Sequence, residues 1–293
     1  MKLLSLRAGR LAVDLAPQSG GSVARFTLDN SFNLLRPATD HALASGHGCD
    51  AAAFPLVPYS NRIANGRLAF DGKEILLKIN WPGVPHPMHG DGWARPWTVA
   101  DAGPHAAEIV LEHAPDGERG GWPFRYRARQ SYRLEDDCFT IRIAIDNLED
   151  RPVPAGIGIH PFFAREDDVE LAFRTGSVWL SDGDVLPVKR IAVPPVWDFS
   201  AARTLDGVVL DNCFDGWDGR ATVRWPRRGL RLDVEASESF RHAVVYVPPL
   251  SNIIGPPYFC VEPVSHANGA VAKSLLPAGD TLAGEISFRL SQL

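Results

Sequence analysis

Apolar and polar residues alternate with a period of two along most of this chain. Arg10-Leu11-Ala12-Val13-Asp14-Leu15 and Ser22-Val23-Ala24-Arg25-Phe26-Thr27-Leu28 both follow the pattern. In Thr140-Ile141-Arg142-Ile143-Ala144-Ile145-Asp146 the isoleucines share one face and mostly polar residues share the other. Ala221 to Trp225, Leu230 to Val234 and Glu285 to Leu290 repeat it. Such alternation predicts strands with one face on a core. Asp-Gly pairs at 71–72, 116–117, 182–183 and 206–207 mark tight turns between the apolar runs. No stretch carries a helical stripe of useful length, though short turns are expected near Ala51 to Ala53 and Phe199 to Thr204. The expected fold is all-β, a large antiparallel β-sandwich or a jelly-roll-like body. The alternation runs from end to end without a linker, repeat or low-complexity tract, so residues 1–293 read as one domain whose C-terminal strand is integral.

Composition narrows the partners. With 45% hydrophobic and 22% charged residues the chain matches an ordinary globular protein. A formal charge of -5 gives no basic face, which argues against nucleic acid and acidic membrane and for a polar small molecule. The apolar Leu3-Leu4 is soon followed by Arg7, Arg10 and Asp14, so no signal peptide is expected, and no run reaches the length of a membrane span. Cys49, Cys138, Cys213 and Cys260 are scattered without a CxxC pair, indicating neither a zinc knuckle nor a disulfide framework. A reducing cytoplasm is the expected location. Oligomeric state leaves no mark in the sequence.

Five stretches hold residues suited to chemistry. Ala155-Gly156-Ile157-Gly158-Ile159-His160-Pro161-Phe162-Phe163 is an apolar run with one titratable group. The following proline should hold His160 extended, near the end of a strand. An imidazole there is either a hydrogen-bonded core residue or a proton-transfer group. Tyr258-Phe259-Cys260-Val261-Glu262-Pro263 places a carboxylate in the same way; burial there should raise its pKa toward that of a general base. In Asn61-Arg62-Ile63, arginine and asparagine can hold hydroxyl or ring oxygens, or Arg62 can pair with Asp50 or another carboxylate. His86-Pro87-Met88-His89-Gly90-Asp91-Gly92-Trp93-Ala94-Arg95-Pro96-Trp97 combines imidazoles, a guanidinium and indoles, the groups that suit the hydroxyl rims and C–H faces of sugars. A metal on His86 and His89 lacks a third ligand at suitable spacing. Asp211, in Leu210-Asp211-Asn212-Cys213-Phe214, either binds paired hydroxyls or caps its own turn.

Together and in this order, Asn61-Arg62-Ile63 with Gly66, His89-Gly90, His160-Pro161-Phe162-Phe163, Leu210-Asp211-Asn212-Cys213-Phe214 and Val261-Glu262-Pro263 resemble the aldose 1-epimerase (galactose mutarotase) family. The resemblance spans most of the chain. It implies a galactose mutarotase-like supersandwich acting on a small-molecule aldose or sugar phosphate, with Glu262 as base and His160 as acid. It further implies that Arg62, His89 and Asp211 hold the sugar and that neither metal nor organic cofactor is required; Asn61, Trp93 and Arg95, read from their own segments, are taken as further sugar contacts. The chain departs from the galactose-specific pattern. It lacks the longer glycine-rich insertion after His-Gly, and Ala243-Val244-Val245-Tyr246-Val247 offers no glutamine. Ala94-Arg95-Pro96-Trp97 is similar to the hexose-6-phosphate mutarotase branch, where arginines bind phosphate; Arg95 stacked on Trp93 or Trp97 is the other reading. Three rivals are a glycan-cleaving enzyme using Glu262 and Asp211, a non-catalytic sugar-binding protein, and a cupin-like metal enzyme using His86, His89 and His160.

Overall fold

The computed structural model describes residues 2–293 apart from 82, 116, 118 and 254. Two antiparallel sheets dominate, one of eleven strands and one of nine. The alternating segments become their strands: Leu11–Ala16 and Ser22–Leu28 lie in the larger sheet. Cys138–Asn147, Arg220–Trp225, Leu230–Ala236 and Thr281–Gln292 lie in the smaller one. Phe26, Phe139, Phe163 and Phe288 meet in the core between them, ring centroids 5.2 to 6.3 Å apart. The C-terminal strand is paired on both sides, with Cys138–Asn147 and Leu230–Ala236. Asp71 and Gly72, both at positive φ, close the two-residue hairpin between Arg67–Phe70 and Lys73–Leu76. The expected turn at Asp116-Gly117 includes a residue outside those described.

The described residues contain one α-helix, Asp40–Ser45, too short to leave a periodic signature in the sequence. Thr39 caps it, accepting a hydrogen bond from the Ala42 amide. The turn expected at Ala51 to Ala53 falls instead on Gly48–Asp50, and Ala53 already belongs to a strand. Among the described residues no helix is long and apolar enough to cross a membrane.

Five neighbouring segments of the larger sheet position the site: β1 (Ala53–Leu56), β2 (Gly158–Ala164), β3 (Leu210–Asp215), β4 (His242–Val247) and β5 (Tyr258–Val264). Their order across the sheet is β1-β2-β5-β4-β3. All five are largely buried on both faces, and the four other than β3 read accordingly as near-continuous apolar runs. Ile159, Phe163, Phe259, Val261 and Val245 point into the core between the sheets. The alternate residues Phe54, Phe162, Cys260, Val244 and Cys213 form a second apolar cluster. His160 and Glu262 have the parity of that second set.

Candidate active site

Strand register brings the two titratable groups together. Gly158 faces Val264 and Phe162 faces Cys260, which sets His160 opposite Glu262 across β2 and β5. His160 Nε2 lies 3.3 Å from Glu262 Oε1, with both residues buried. His160 is the third of seven residues in β2 and Glu262 the fifth of seven in β5. Both strands therefore run on past their prolines, and neither residue ends its strand as the sequence suggested. Each proline costs one ladder hydrogen bond and leaves the extended backbone intact.

Packing fixes the imidazole. The His160 ring stacks on Phe54, its cross-strand neighbour, at 4.6 Å and on Phe162, two residues along, at 4.5 Å between centroids. Its Nδ1 is buried without a hydrogen-bond partner, and so is Glu262 Oε2. Burial pushes the Glu262 carboxyl well above the usual carboxylate range, reinforced by the charge of Asp211 and opposed by Arg62. Burial pushes the His160 imidazole well below its usual value, reinforced by His89 and Arg36.

These groups line a cleft of about 290 Å³ together with Asn61, Arg62, His89 and Asp211. Arg62 Nη2 stands 3.9 Å from Asp211 Oδ2, so its carboxylate neighbour is Asp211 rather than Asp50. Burial raises the Asp211 carboxyl, and Arg62 opposes the rise. The Asn61 side-chain oxygen accepts from the Arg62 amide, which leaves its NH2 group for the cleft.

Three histidines pin the segment that carries Asn61 and Arg62. The amides of Ser60, Asn61 and Asn65 donate to His266 Nε2, His89 Nδ1 and His86 Nδ1 at 3.2, 3.1 and 3.0 Å. Each imidazole must be neutral to accept. Burial, then the charge of Arg62, lowers His89 to about 3, and burial lowers His266 to about 4. Because Nδ1 of His89 is an acceptor, its proton sits on Nε2, where it can be donated to a ligand oxygen. His89 and Asn61 hold positive φ, 63° and 56°, a conformation that costs a non-glycine residue about 1–2 kcal/mol. The next residue must be glycine: a Cβ on Gly90 would lie 2.1 Å from the Val57 carbonyl oxygen.

Trp93 and Arg95 lie apart from this cleft. Trp93 is buried beneath the His89-Gly90 turn, its indole N–H donating to the Gly90 carbonyl at 3.2 Å. Arg95 pairs with Asp91 at 2.6 Å and borders a separate cleft of about 380 Å³ with Asn80 and Trp122. His86 faces Asn65, so the metal trio of His86, His89 and His160 does not assemble. A different trio, His89, His160 and Glu262, offers ligand atoms within 4.8 Å of one another. His89 fits a metal poorly, because its Nδ1 is occupied and its Nε2 carries the proton.

Sequence reasoning missed Arg36, Trp81, Tyr246 and Tyr258, which also line the cleft. For Tyr246 and Tyr258 the signal was available. Tyr246 faces both Asp211 and Cys260 in the ladder, and Tyr258 shares strand parity with Glu262.

The antiparallel β-sandwich thus carries a buried imidazole–carboxyl pair in a polar-rimmed cleft. The aldose 1-epimerase profile matches residues 2–289, and the chain belongs to that family. The uncharacterized protein YphB of Escherichia coli K12 is 29% identical over 303 residues, covering 100% of both chains. The aldose 1-epimerase of the same organism is 30% identical over 151 residues, covering 50% of this chain and 42% of its own. A crystal structure from Escherichia coli K12, provisionally described as an aldose 1-epimerase, superposes with a TM-score of 0.89. It is 28% identical and covers 100% of this chain and 99% of its own. The fold is shared with a GalM/aldose epimerase homologue from C. elegans, with a TM-score of 0.84 at 18% identity over 100% and 99% of the two chains.

Proposed function

We propose that this protein is a mutarotase that interconverts the α and β anomers of an aldose by acid–base ring opening and reclosure. The observation that carries the reading is the opposition of His160 and Glu262 at 3.3 Å, each with one buried polar atom left unpartnered. Mutarotation needs one group to take the proton of the anomeric hydroxyl and another to protonate the ring oxygen. Those two oxygens sit on a single carbon, so the two groups must stand close together.

In the proposed cycle, Glu262 takes the hydroxyl proton as His160 gives one to the ring oxygen. The C1–O5 bond breaks and C1 becomes the aldehyde. Rotation about C1–C2 presents the other face, and reclosure reverses both transfers. The pair passes from carboxylate and imidazolium to carboxylic acid and imidazole, so the site gains and loses no proton overall. Burial disfavours both charged forms, which makes the imidazolium a willing donor and the carboxylate a willing acceptor. His89 Nε2–H and Arg62 stabilise negative charge as it develops on the sugar oxygens, and Asp211 orients hydroxyls. The carboxylate pair of a glycan-cleaving enzyme explains Glu262 and Asp211 but leaves the facing imidazole without a role.

Exchange of anomers is measurable by polarimetry or by NMR exchange on an aldose panel. The protein should accelerate equilibration over buffer, and Glu262→Gln or His160→Gln should lower kcat by roughly 10²–10⁴ each. If no aldose or sugar phosphate equilibrates faster with the protein than without it, the reading fails. Metal analysis of the same sample separates off the metal-enzyme rival.

A further inference from the structure

One wall of the cleft is built from a residue that the acid–base chemistry leaves unused. Arg36 is only 6% exposed, and it is the only lysine or arginine among the described residues to be more than nine-tenths buried. It lines the same cleft as the catalytic pair. Its guanidinium lies over the rings of Phe162 and Tyr258, 3.9 and 4.5 Å from their centroids. Nη2 donates to the carbonyl oxygens of Ala51 and Cys49, at 3.2 and 3.4 Å. Nε is buried without an acceptor. Among the described residues no carboxylate comes within 4.0 Å of this guanidinium, whereas Arg62, which lines the same cleft, has Asp211. Asp50 borders the cleft as well, beyond that distance.

A buried cation is normally matched by an anion, because its desolvation is otherwise only partly offset. Carbonyl dipoles and aromatic faces supply part of that compensation here, and the rest is left to whatever fills the cleft. Position narrows the occupant. Phe162 contacts both Arg36 and His160. On the mutarotase reading His160 serves the ring oxygen, and the ring carbon that flanks this oxygen away from the anomeric centre bears the exocyclic carbon, the usual place of a carboxylate or phosphate. We propose that the preferred substrate is an aldose bearing a negative charge on this carbon, as a carboxylate or a phosphate, held against Arg36. The proposal rests on the mutarotase reading and names its substrate class. Arg95, the phosphate candidate of the sequence, is excluded from this role by its place in the other cleft.

Matched sets test it: D-glucose, D-glucuronate and D-glucose 6-phosphate, and the corresponding galactose set. Binding is followed by calorimetry and anomer exchange by NMR. One charged member should bind at least about tenfold more tightly than its neutral parent, equivalent to 1.4 kcal/mol. The member with the larger ratio identifies carboxylate or phosphate. Arg36→Met should bring that ratio to about one, and Arg36→Lys should keep part of it. Asp50→Asn should raise the charged ligand's affinity. If Arg36 and Asp50 instead clasp a neutral hydroxyl between them, Asp50→Asn will weaken the neutral sugars and leave the ratio near one, which overturns the proposal. Equal affinity of the wild type for neutral and charged members, or a ratio that Arg36→Met leaves unchanged, also overturns it. The two levels separate cleanly. Arg36-dependent binding of a charged sugar without accelerated exchange keeps the anion site and sinks the mutarotase reading; accelerated exchange without charge preference does the reverse.

Discussion

At the scale of single residues, the proposed function depends on two groups that burial keeps away from their usual charge states. Glu262 is raised and His160 lowered, both chiefly by burial. Between them they carry one proton over a widened pH range. Activity should hold on a broad plateau. It should fall in acid only when a second proton enters the pair, below the usual imidazole range, and in alkali only when the last proton leaves, above the usual carboxylate range. A kcat profile across pH checks this, and an acid limb at or above the ordinary imidazole value would contradict it. The same burial costs stability. A carboxyl whose folded pKa lies above its unfolded value stabilises the fold only below the unfolded value, and that contribution is lost as pH rises through the folded one. Glu262→Gln should therefore melt at a higher temperature than wild type at neutral pH while losing activity. Calorimetry on the two proteins tests the sign.

At the scale of elements, the candidate site draws His160, Glu262 and Asp211 from three strands of one sheet and Asn61, Arg62 and His89 from two loops. A proline after each of His160 and Glu262 lets the strand continue, and strand parity turns both side chains to the same face. The loop with Asn61 and Arg62 is held by imidazoles from distant segments, and one of them depends on a glycine. A Cβ on Gly156 would lie 2.2 Å from the His266 ring, so that ring can reach the Ser60 amide only because residue 156 has no side chain. Gly156→Ala should displace His266 and loosen the Arg62 loop. His266→Ala should do the same, raising KM several-fold with a smaller change in kcat, whereas His266→Gln retains an acceptor and should recover most of the loss. Equal effects of the alanine and glutamine variants on KM would show that the hydrogen bond to Ser60 is not what positions the loop.

At the scale of the whole molecule, acid stability follows from the buried histidines. His89 and His266 have folded values of about 3 and 4 against an unfolded value of 6.5. A depressed group stabilises the fold above its unfolded value, and the contribution is lost as pH falls through the folded one. Between pH 6.5 and 4 the unfolded chain takes up protons that the folded protein refuses. Thermal melts should show the transition falling steadily over that interval, with a shallower slope in His266→Gln. A flat profile there would mean that these imidazoles accept protons without cost.

The period-two pattern, the Asp-Gly turns and the absence of a helical stripe were enough to read the sheet architecture, because strand parity is a local property written residue by residue. His160, Glu262, Asn61, Arg62, His89 and Asp211 were legible for a related reason: each is a polar group in a setting where burial without partners is costly. Which of them meet was decided by register between strands about a hundred residues apart. The assignment of Trp93 beneath a turn and Arg95 to another cleft was settled in the same way, by what packs against each side chain. Arg36 shows the limit most clearly. Beside a short strand it reads as one more surface arginine, and only the rings of Phe162 and Tyr258, brought by other strands, make it a buried charge facing the cleft.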